Sequence, residues 1–275
     1  MNDKIELFER HLQSEEKSEN TILKYIRDVK EFYLWESGNT ETTKETLVNY
    51  KNHLRKQGLK VSTINSKISS LNTYFSYTAQ KNLKIKLIKY QKSLFGDNNK
   101  KLTRQEFFRL HQAAESNYRL KLLIETIAAT GIRVSELKFI TAESLDTCKA
   151  LVDNKGKIRT ILIPRKLCKK LKDYCRNQNI KNGPIFLTRN STPISRKHIW
   201  QMLKNLSIKA NVPKEKVFPH NLRHLFAHEF YKQTHDIVKL AAILGHSSIE
   251  TTRIYTKQTE DECRIEIEKI HFLRE

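Results

Sequence analysis

Apolar residues recur at helical spacing through most of the first eighty positions of the chain. Within 22–33, 47–54 and 64–75 they follow one another mostly at intervals of three and four residues, so each run can bury one face of a helix. Thr43 stands just before the second run, where a threonine side chain commonly caps a helix. The pattern predicts an N-terminal domain of four packed helices over residues 1–80.

The helical spacing is lost over residues 81–101. This stretch holds seven lysines and one aspartate, and Gly96-Asp97-Asn98-Asn99 is a turn signal within it. A solvated loop would have the same composition. Because the segment is basic and lies between two helical blocks, it is predicted to be a linker between domains.

A second domain is predicted over residues 102–259. Leu151-Val152 and the run 158–163 are apolar segments on either side of a polar turn at Lys155-Gly156, which predicts an antiparallel hairpin. The rest of the domain has helical patterns over Leu120–Ala129, Leu167–Asn177, Ser195–Ala210, Asn221–Gln233 and Ile237–Leu244, and from Glu250 onward. The predicted fold class is therefore mainly α: a helical N-terminal domain, then an α+β domain with a small antiparallel sheet.

The net charge of the chain indicates what kind of molecule it binds. An excess of Lys and Arg over Asp and Glu gives a formal net charge of +21, which implies a polyanion, although RNA-binding proteins share this balance. No apolar export segment or membrane-spanning run is apparent, and the four cysteines include no CxxC pair. We therefore expect a cytoplasmic protein that has no membrane partner and buried or idle thiols.

Five side chains in the second domain suit attack on a phosphodiester. Arg133 follows a glycine at a predicted helix end, and His220 and Arg223 share one face at the start of a later helix. His246 follows another glycine, and Tyr255 comes nine residues later. Each alone has a plainer explanation, such as a structural arginine, a capping or loop histidine, or a packing tyrosine. Their combination is what favours a catalytic site.

The chemistry of phosphodiester cleavage needs each of these groups. Arg133 and Arg223 can clamp the non-bridging oxygens, and His246 can donate a further hydrogen bond. Tyrosine can form a covalent phosphoester, but its free pKa near ~10 leaves it mostly neutral. Nearby cations would favour the phenolate, and His220 could accept the proton of Tyr255.

The leaving 5′-oxygen needs an acid, and a lysine on a hairpin turn can reach it. Lys155 is the best candidate, with Lys157 as an open alternative. The set needs no metal and no other cofactor. His224 and His228, four residues apart on a helix, could bind zinc, but no carboxylate–cysteine set accompanies them.

The order of these motifs resembles the tyrosine recombinase (phage-type integrase) family, in particular its short two-domain Xer-like members and transposon integrases. The matching segments are Ala129-Thr130-Gly131-Ile132-Arg133-Val134-Ser135-Glu136-Leu137, Lys155-Gly156-Lys157, His220-Asn221-Leu222-Arg223-His224 and Leu244-Gly245-His246-Ser247, followed by Tyr255. The resemblance implies a core-binding and a catalytic domain that form a C-shaped clamp on double-stranded DNA recombination sites. It also implies strand exchange through a 3′-phosphotyrosine without metal or ATP, on nucleoid-associated DNA of a bacterial cell. Leu225 departs from the Thr or Ala that the family often has there.

The C-terminal segment 260–275 differs from the basic body of the chain. It holds six acidic residues and three Lys or Arg, and Cys263, Ile267, Ile270 and Leu273 form a helical stripe. Such a helix suits docking in trans on a neighbouring subunit, which would close a homotetramer on DNA by helix exchange. Packing on its own domain is the alternative.

Two other functions remain open from sequence. A type IB topoisomerase shares the active-site logic but relaxes DNA without pairing two sites. A non-catalytic DNA-binding protein, such as a helical repressor, would have no use for the combined Arg, His and Tyr set.

Overall fold

The computed structural model describes residues 2–36, 42–89, 101–154, 157–246 and 248–255, together with the isolated helical positions 264 and 268. The chain forms two compact units, Met1–Lys92 and Ser93–Glu275. The described residues are mostly helical and include one two-stranded antiparallel sheet. The predicted mainly α fold class is thus confirmed. No helix in these ranges is long and apolar enough to span a bilayer.

The first unit contains the four helices that the apolar spacing predicts. They are α1 (Asn2–Ser14), α2 (Glu19–Glu36), α3 (Lys44–Lys56) and α4 (Val61–Tyr77). Thr43 caps α3 by accepting a hydrogen bond from the Thr46 backbone NH, as the sequence predicts. Buried aromatic rings fill the centre of the unit and meet edge to face, with the centroids of Phe8 and Tyr74 5.2 Å apart. One apolar core therefore holds this unit together.

Residues 81–89 belong to the first unit rather than to a linker. Asn72 on α4 exchanges two hydrogen bonds with the backbone of Ile85, at 2.9 and 3.1 Å. Asn65 does the same with Ile88, at 2.9 and 2.8 Å. Because these side-chain amides satisfy the backbone and Ile85 is buried, the first part of the predicted linker packs on α4. Its remainder, 90–100, lies outside the described residues.

The second unit is helical around one hairpin. Its elements are α5 (Arg104–Ala113), α6 (Tyr118–Thr130), β1 (Lys149–Asn154), β2 (Lys157–Leu162), α7 (Arg165–Asn177), α8 (Arg196–Lys209), α9 (Pro219–Thr234), α10 (Ile237–Leu244) and α11 (Ile249–Thr252). Short 3₁₀ turns cover Lys81–Leu83 in the first unit, and Val134–Phe139, Glu143–Leu145, Lys214–Lys216 and Arg253–Tyr255 in the second. The strands pair from Lys149 with Leu162 to Asn154 with Lys157, which confirms the predicted hairpin.

Two helix ends in this unit depend on glycine. Gly131 ends α6 and Gly245 ends α10, both with left-handed backbone at φ 64° and 62°. A Cβ atom on Gly131 would lie 2.4 Å from Cδ1 of Phe226 on α9. Both the backbone conformation and the close contact with α9 therefore require glycine at this position. The loops that leave these two helix ends carry two of the candidate catalytic residues, Arg133 and His246.

Candidate active site

Arg133 is held by the 3₁₀ turn Val134–Phe139 that follows Gly131. Its backbone NH donates to Oε2 of Glu136 at 2.9 Å, and its Nη1 donates to Oε1 of the same carboxylate at 2.8 Å. Its Nη2 donates to the carbonyl oxygen of Gly245 at 3.3 Å. The guanidinium thus joins the end of α6 to the end of α10. Its side chain stays one-third exposed, so an anion from solvent can reach it.

Arg223 lies almost fully buried on α9. Its Nη1 donates to the carbonyl oxygen of Gly131 at 2.5 Å, and its Nη2 donates to that of Leu244 at 2.8 Å. Burial lowers the pKa of this guanidinium to about 10, and the charge of Arg133 adds to that effect. The nearby Tyr255 acts in the opposite direction and raises the pKa. Arg223 nevertheless remains protonated at neutral pH.

His246 is held in one tautomer by its two neighbours. Its Nε2 lies 3.1 Å from Nη2 of Arg223, and its Nδ1 lies 2.9 Å from the hydroxyl of Thr252. A guanidinium can only donate, so Nε2 accepts and Nδ1 carries the proton. Burial, together with the nearby charges of Arg223 and Arg133, lowers the pKa of His246 to about 4. In this state His246 is neutral and cannot yet donate to a phosphate from Nε2.

Tyr255 completes this group and is 4% exposed. It ends the 3₁₀ turn Arg253–Tyr255, and its ring stacks on that of His246 with the centroids 6.0 Å apart. The ring of His224 meets it at an edge, at 4.6 Å. The apolar cluster around the Tyr255 ring comprises Ala227, Leu240 and Leu244. Helices α9 and α10 thus fix the ring against both histidines.

His220 lies one ring further away. Its ring meets that of His224 at 4.4 Å, whereas the rings in contact with Tyr255 are those of His224 and His246. Burial lowers the pKa of His220, and burial lowers that of His224 to about 4. The contact between His224 and Tyr255 was not predicted. The sequence does contain a sign of it: His224 follows His220 by four residues, so both rings lie on one face of α9.

Lys155 lies outside the described residues, and of Lys157 only the backbone is described. The paired register of Asn154 with Lys157 shows where the strands end. The choice between the two lysines therefore stays a prediction.

Arg159 on β2 is a site residue that the sequence analysis missed. Its Nη2 donates to Oε2 of Glu136 at 2.6 Å, and its Nη1 donates to the carbonyl oxygen of Ile243 at 2.6 Å. Strand alternation could have found it, because Arg159 shares the inner face of β2 with the buried Ile161.

Among the described residues, no group of three or more His, Cys, Asp or Glu side chains is arranged to hold a metal ion. His224, half of the pair considered for zinc, instead packs between the rings of His220 and Tyr255. The site is therefore a cluster of three arginines, three histidines and one buried tyrosine.

This cluster and the surrounding helices define a class of protein: DNA strand transferases that use a tyrosine nucleophile. The chain belongs to the phage integrase, or tyrosine recombinase, family. Residues 100–262 match the profile described as "Phage integrase family", and residues 5–82 match "Phage integrase, N-terminal SAM-like domain".

Curated relatives align along nearly the whole chain. The tyrosine recombinase XerA of Pyrococcus furiosus is 30% identical over 279 residues, which cover 98% of this chain and 94% of the relative. The XerA of Pyrococcus horikoshii is 31% identical, covering 97% and 93%. The tyrosine recombinase XerD of Halalkalibacterium halodurans is 29% identical, covering 92% and 93%.

Solved structures show the same fold. A crystal structure of XerA recombinase is 26% identical with a TM-score of 0.55, covering all of this chain and 99% of that one. A lambda integrase dimer bound to a COC′ core site is 18% identical with a TM-score of 0.75, covering 94% and 96%. XerH recombinase bound to its difH substrate is 22% identical with a TM-score of 0.68, covering 92% and 79%.

The buried histidines make stability depend on pH in a defined window. In the unfolded chain a histidine protonates near ~6.5, whereas in the folded protein the pKa of His224 and of His246 is about 4. Between these values the unfolded chain takes up protons that the folded protein does not, so the free energy of unfolding decreases as pH falls. The His224→Phe variant should lose stability less steeply, by up to about 1.4 kcal/mol per pH unit.

Urea unfolding at several pH values between 6.5 and 4 measures this difference. His198→Phe, on the exposed side of α8, is the matched control for the loss of an imidazole. Equal pH slopes for His224→Phe and the wild-type protein would show that the His224 ring is not kept neutral by burial.

Proposed function

We propose that this protein cuts and rejoins double-stranded DNA at specific recombination sites through a 3′-phosphotyrosine on Tyr255, without metal or ATP. The observation that carries the proposal is that His246 lies 3.1 Å from Nη2 of the buried Arg223 and stacks on the ring of Tyr255, which brings the three side chains into one buried site. Arg133 reaches the same turn at Gly245. A phosphate placed at this point would meet two guanidinium groups and the nucleophile together.

In the reaction, the Tyr255 oxygen forms a bond to phosphorus while the bond from phosphorus to the 5′-oxygen breaks. Arg133 and Arg223 stabilise the negative charge that develops on the non-bridging oxygens. When Arg223 turns its Nη2 to the phosphate, Nε2 of His246 loses its donor. The phosphate charge then favours protonation of that nitrogen, which lets His246 donate as well.

The proton transfers are assigned to His220 and Lys155. His220 would accept the Tyr255 proton as the general base, with the ring of His224 between the two at 4.6 Å from Tyr255 and 4.4 Å from His220. Lys155, at the tip of the hairpin, would protonate the leaving 5′-oxygen, with Lys157 as the alternative.

The two units divide the work of binding and cleavage. We assign core binding of DNA to the N-terminal unit (1–80 as predicted, with 81–89 packed on it) and catalysis to residues 102–259. Both would close on the duplex as a C-shaped clamp, and the net charge of +21 supports contact with many phosphates. Two proteins of the same fold, lambda integrase and XerH recombinase, are described in complex with DNA sites, which supports DNA as the partner. In the cell the substrate would be nucleoid DNA.

Assembly is assigned to residues 260–275, which lie largely outside the described residues. Their acidic and apolar pattern suits docking on the basic catalytic unit of a neighbouring protomer, and cyclic exchange would give a homotetramer on two duplexes. The relatives named as recombinases favour this function over a type IB topoisomerase, which does not pair two sites.

Tyr255→Phe should bind DNA with close to wild-type affinity and form no covalent complex, because only the nucleophilic oxygen is lost. Fragmented genomic DNA is incubated with the protein, denatured with detergent and digested with protease, and the captured 3′ ends are sequenced. Tyr231→Phe, on α9, is the control and should capture the same ends as the wild-type protein. Covalently captured DNA ends from the Tyr255→Phe variant would show that another residue is the nucleophile.

Lys155→Ala should cleave the mapped site about 10²–10⁴-fold more slowly, because the 5′-oxygen then leaves without a proton. A substrate with sulfur at that bridging position needs no acid, so its cleavage should return to near the wild-type rate. Lys157→Ala is tested in parallel on both substrates. Sulfur rescue of Lys157→Ala and not of Lys155→Ala would assign the role to Lys157.

Deletion after Thr259 should leave binding to one site intact and abolish the pairing of two sites, because the docking helix is lost. Light scattering of the protein with one and with two duplexes measures both states. Ile267→Ser with Ile270→Ser should reproduce the defect, whereas Glu268→Gln should not. Strand exchange at the wild-type rate by the truncated protein would show that the segment packs only on its own domain.

A further inference from the structure

Arg159 connects the hairpin to the loop of Arg133 and to the helix end that precedes His246. Its side chain is 14% exposed and reaches from β2 to the carboxylate of Glu136 and to the carbonyl oxygen of Ile243, each at 2.6 Å. Glu136 holds Arg133, and Ile243 lies three residues before His246. One guanidinium thus contacts two segments that are about a hundred residues apart in the chain.

The aliphatic part of Arg159 fills the space over the turn at Gly245. A Cβ atom on Gly245 would lie 2.3 Å from Cδ of Arg159. The turn that presents His246 therefore has the Arg159 side chain as its packing surface. Loss of that side chain would leave the turn without a neighbour on this side.

Arg159 and Arg133 both form ion pairs with the carboxylate of Glu136. This carboxylate is 2% exposed, and burial would raise its pKa, but hydrogen bonds from Arg133 and the nearby charge of Arg159 outweigh burial and lower it. Without Arg159, the buried carboxylate would have Arg133 as its one cation among these contacts. Arg133 would then be drawn towards Glu136 and away from an incoming phosphate.

We propose that Arg159 is a positioning residue for DNA strand cleavage, which keeps Arg133 and His246 aimed at the same phosphate. The inference rests on the proposed function of Arg133, His246 and Tyr255. Arg159 itself need not touch the DNA. Its effect should therefore depend on the charge of the scissile phosphate, unlike the effect of a residue that only stabilises the fold.

The test uses Arg159→Met, which keeps most of the side-chain length without its charge, on the site mapped by covalent capture. DNA affinity and the rate of covalent-complex formation are measured on a normal phosphate and on a neutral methylphosphonate at the scissile position. We expect near-wild-type affinity and about 100-fold slower cleavage of the normal phosphate, as for a misplaced catalytic group. On the methylphosphonate the defect should shrink to less than about threefold, because a neutral group gains little from a well-aimed cation.

A double variant separates positioning from a second, independent role. Arg159→Met should slow cleavage less in the Arg133→Ala background than in the wild-type protein, because the part of its effect that acts through Arg133 is already lost and only the part through His246 remains. Arg176→Met is the matched control, since Arg176 pairs with Asp173 on the exposed side of α7 and has no contact with the described site. Arg159→Lys, which keeps the charge, serves if the methionine variant does not fold and should show a smaller defect with the same dependence on substrate.

Equal slowing on both substrates, or additive effects in the double variant, would overturn the proposal and leave Arg159 a structural residue. Loss of DNA affinity together with cleavage would overturn it as well. Failure of the wild-type protein to form any covalent complex is a separate outcome, which counts against the proposed function and not against the contacts of Arg159.

Discussion

The buried guanidinium of Arg223 is the constraint on which the rest of the catalytic unit depends. A charge with so little exposure is tolerated only when its donors are satisfied, and Arg223 meets this need with the last carbonyl groups of two helices. The ends of α6 and α10 must therefore converge on one point of α9. Arg133, which leaves one of these ends, and His246, which follows the other, are brought together as a consequence.

Most of the helical architecture could be predicted because its signals are local. Apolar spacing and the caps fix where helices begin and end, and the glycines at positions 131 and 245 mark two of these ends by a conformation that other residues rarely adopt. The predicted residues Arg133, Arg223, His246 and Tyr255 do lie together. That convergence was inferred from the order of the motifs, because no single one of these residues carries an unambiguous signal.

The features that were missed depend on contacts between distant parts of the chain. Residues 81–89 have the sequence pattern of a linker. They are held in place by hydrogen bonds from two asparagine amides on α4, and such contacts leave no periodic pattern in the sequence. In the sequence Arg159 is one basic residue on a strand, and its role becomes apparent only from its contacts with Glu136 and Ile243 in the structure. The tautomer of His246 follows only from the donor that faces it, so this ring, which was predicted to donate to a phosphate, accepts from Arg223 through Nε2 in this structure.

The acceptors of Arg223 have a consequence for how this active site can vary. Both are main-chain carbonyl groups, and no substitution of a side chain at position 131 or 244 can remove them directly. The backbone conformation at these two helix ends therefore determines where Arg223 lies in the candidate active site. Substitutions of side chains on the outer surfaces can therefore change which DNA sequence is bound without displacing Arg133, Arg223 or His246. The DNA specificity of this fold can change while its active-site geometry is kept.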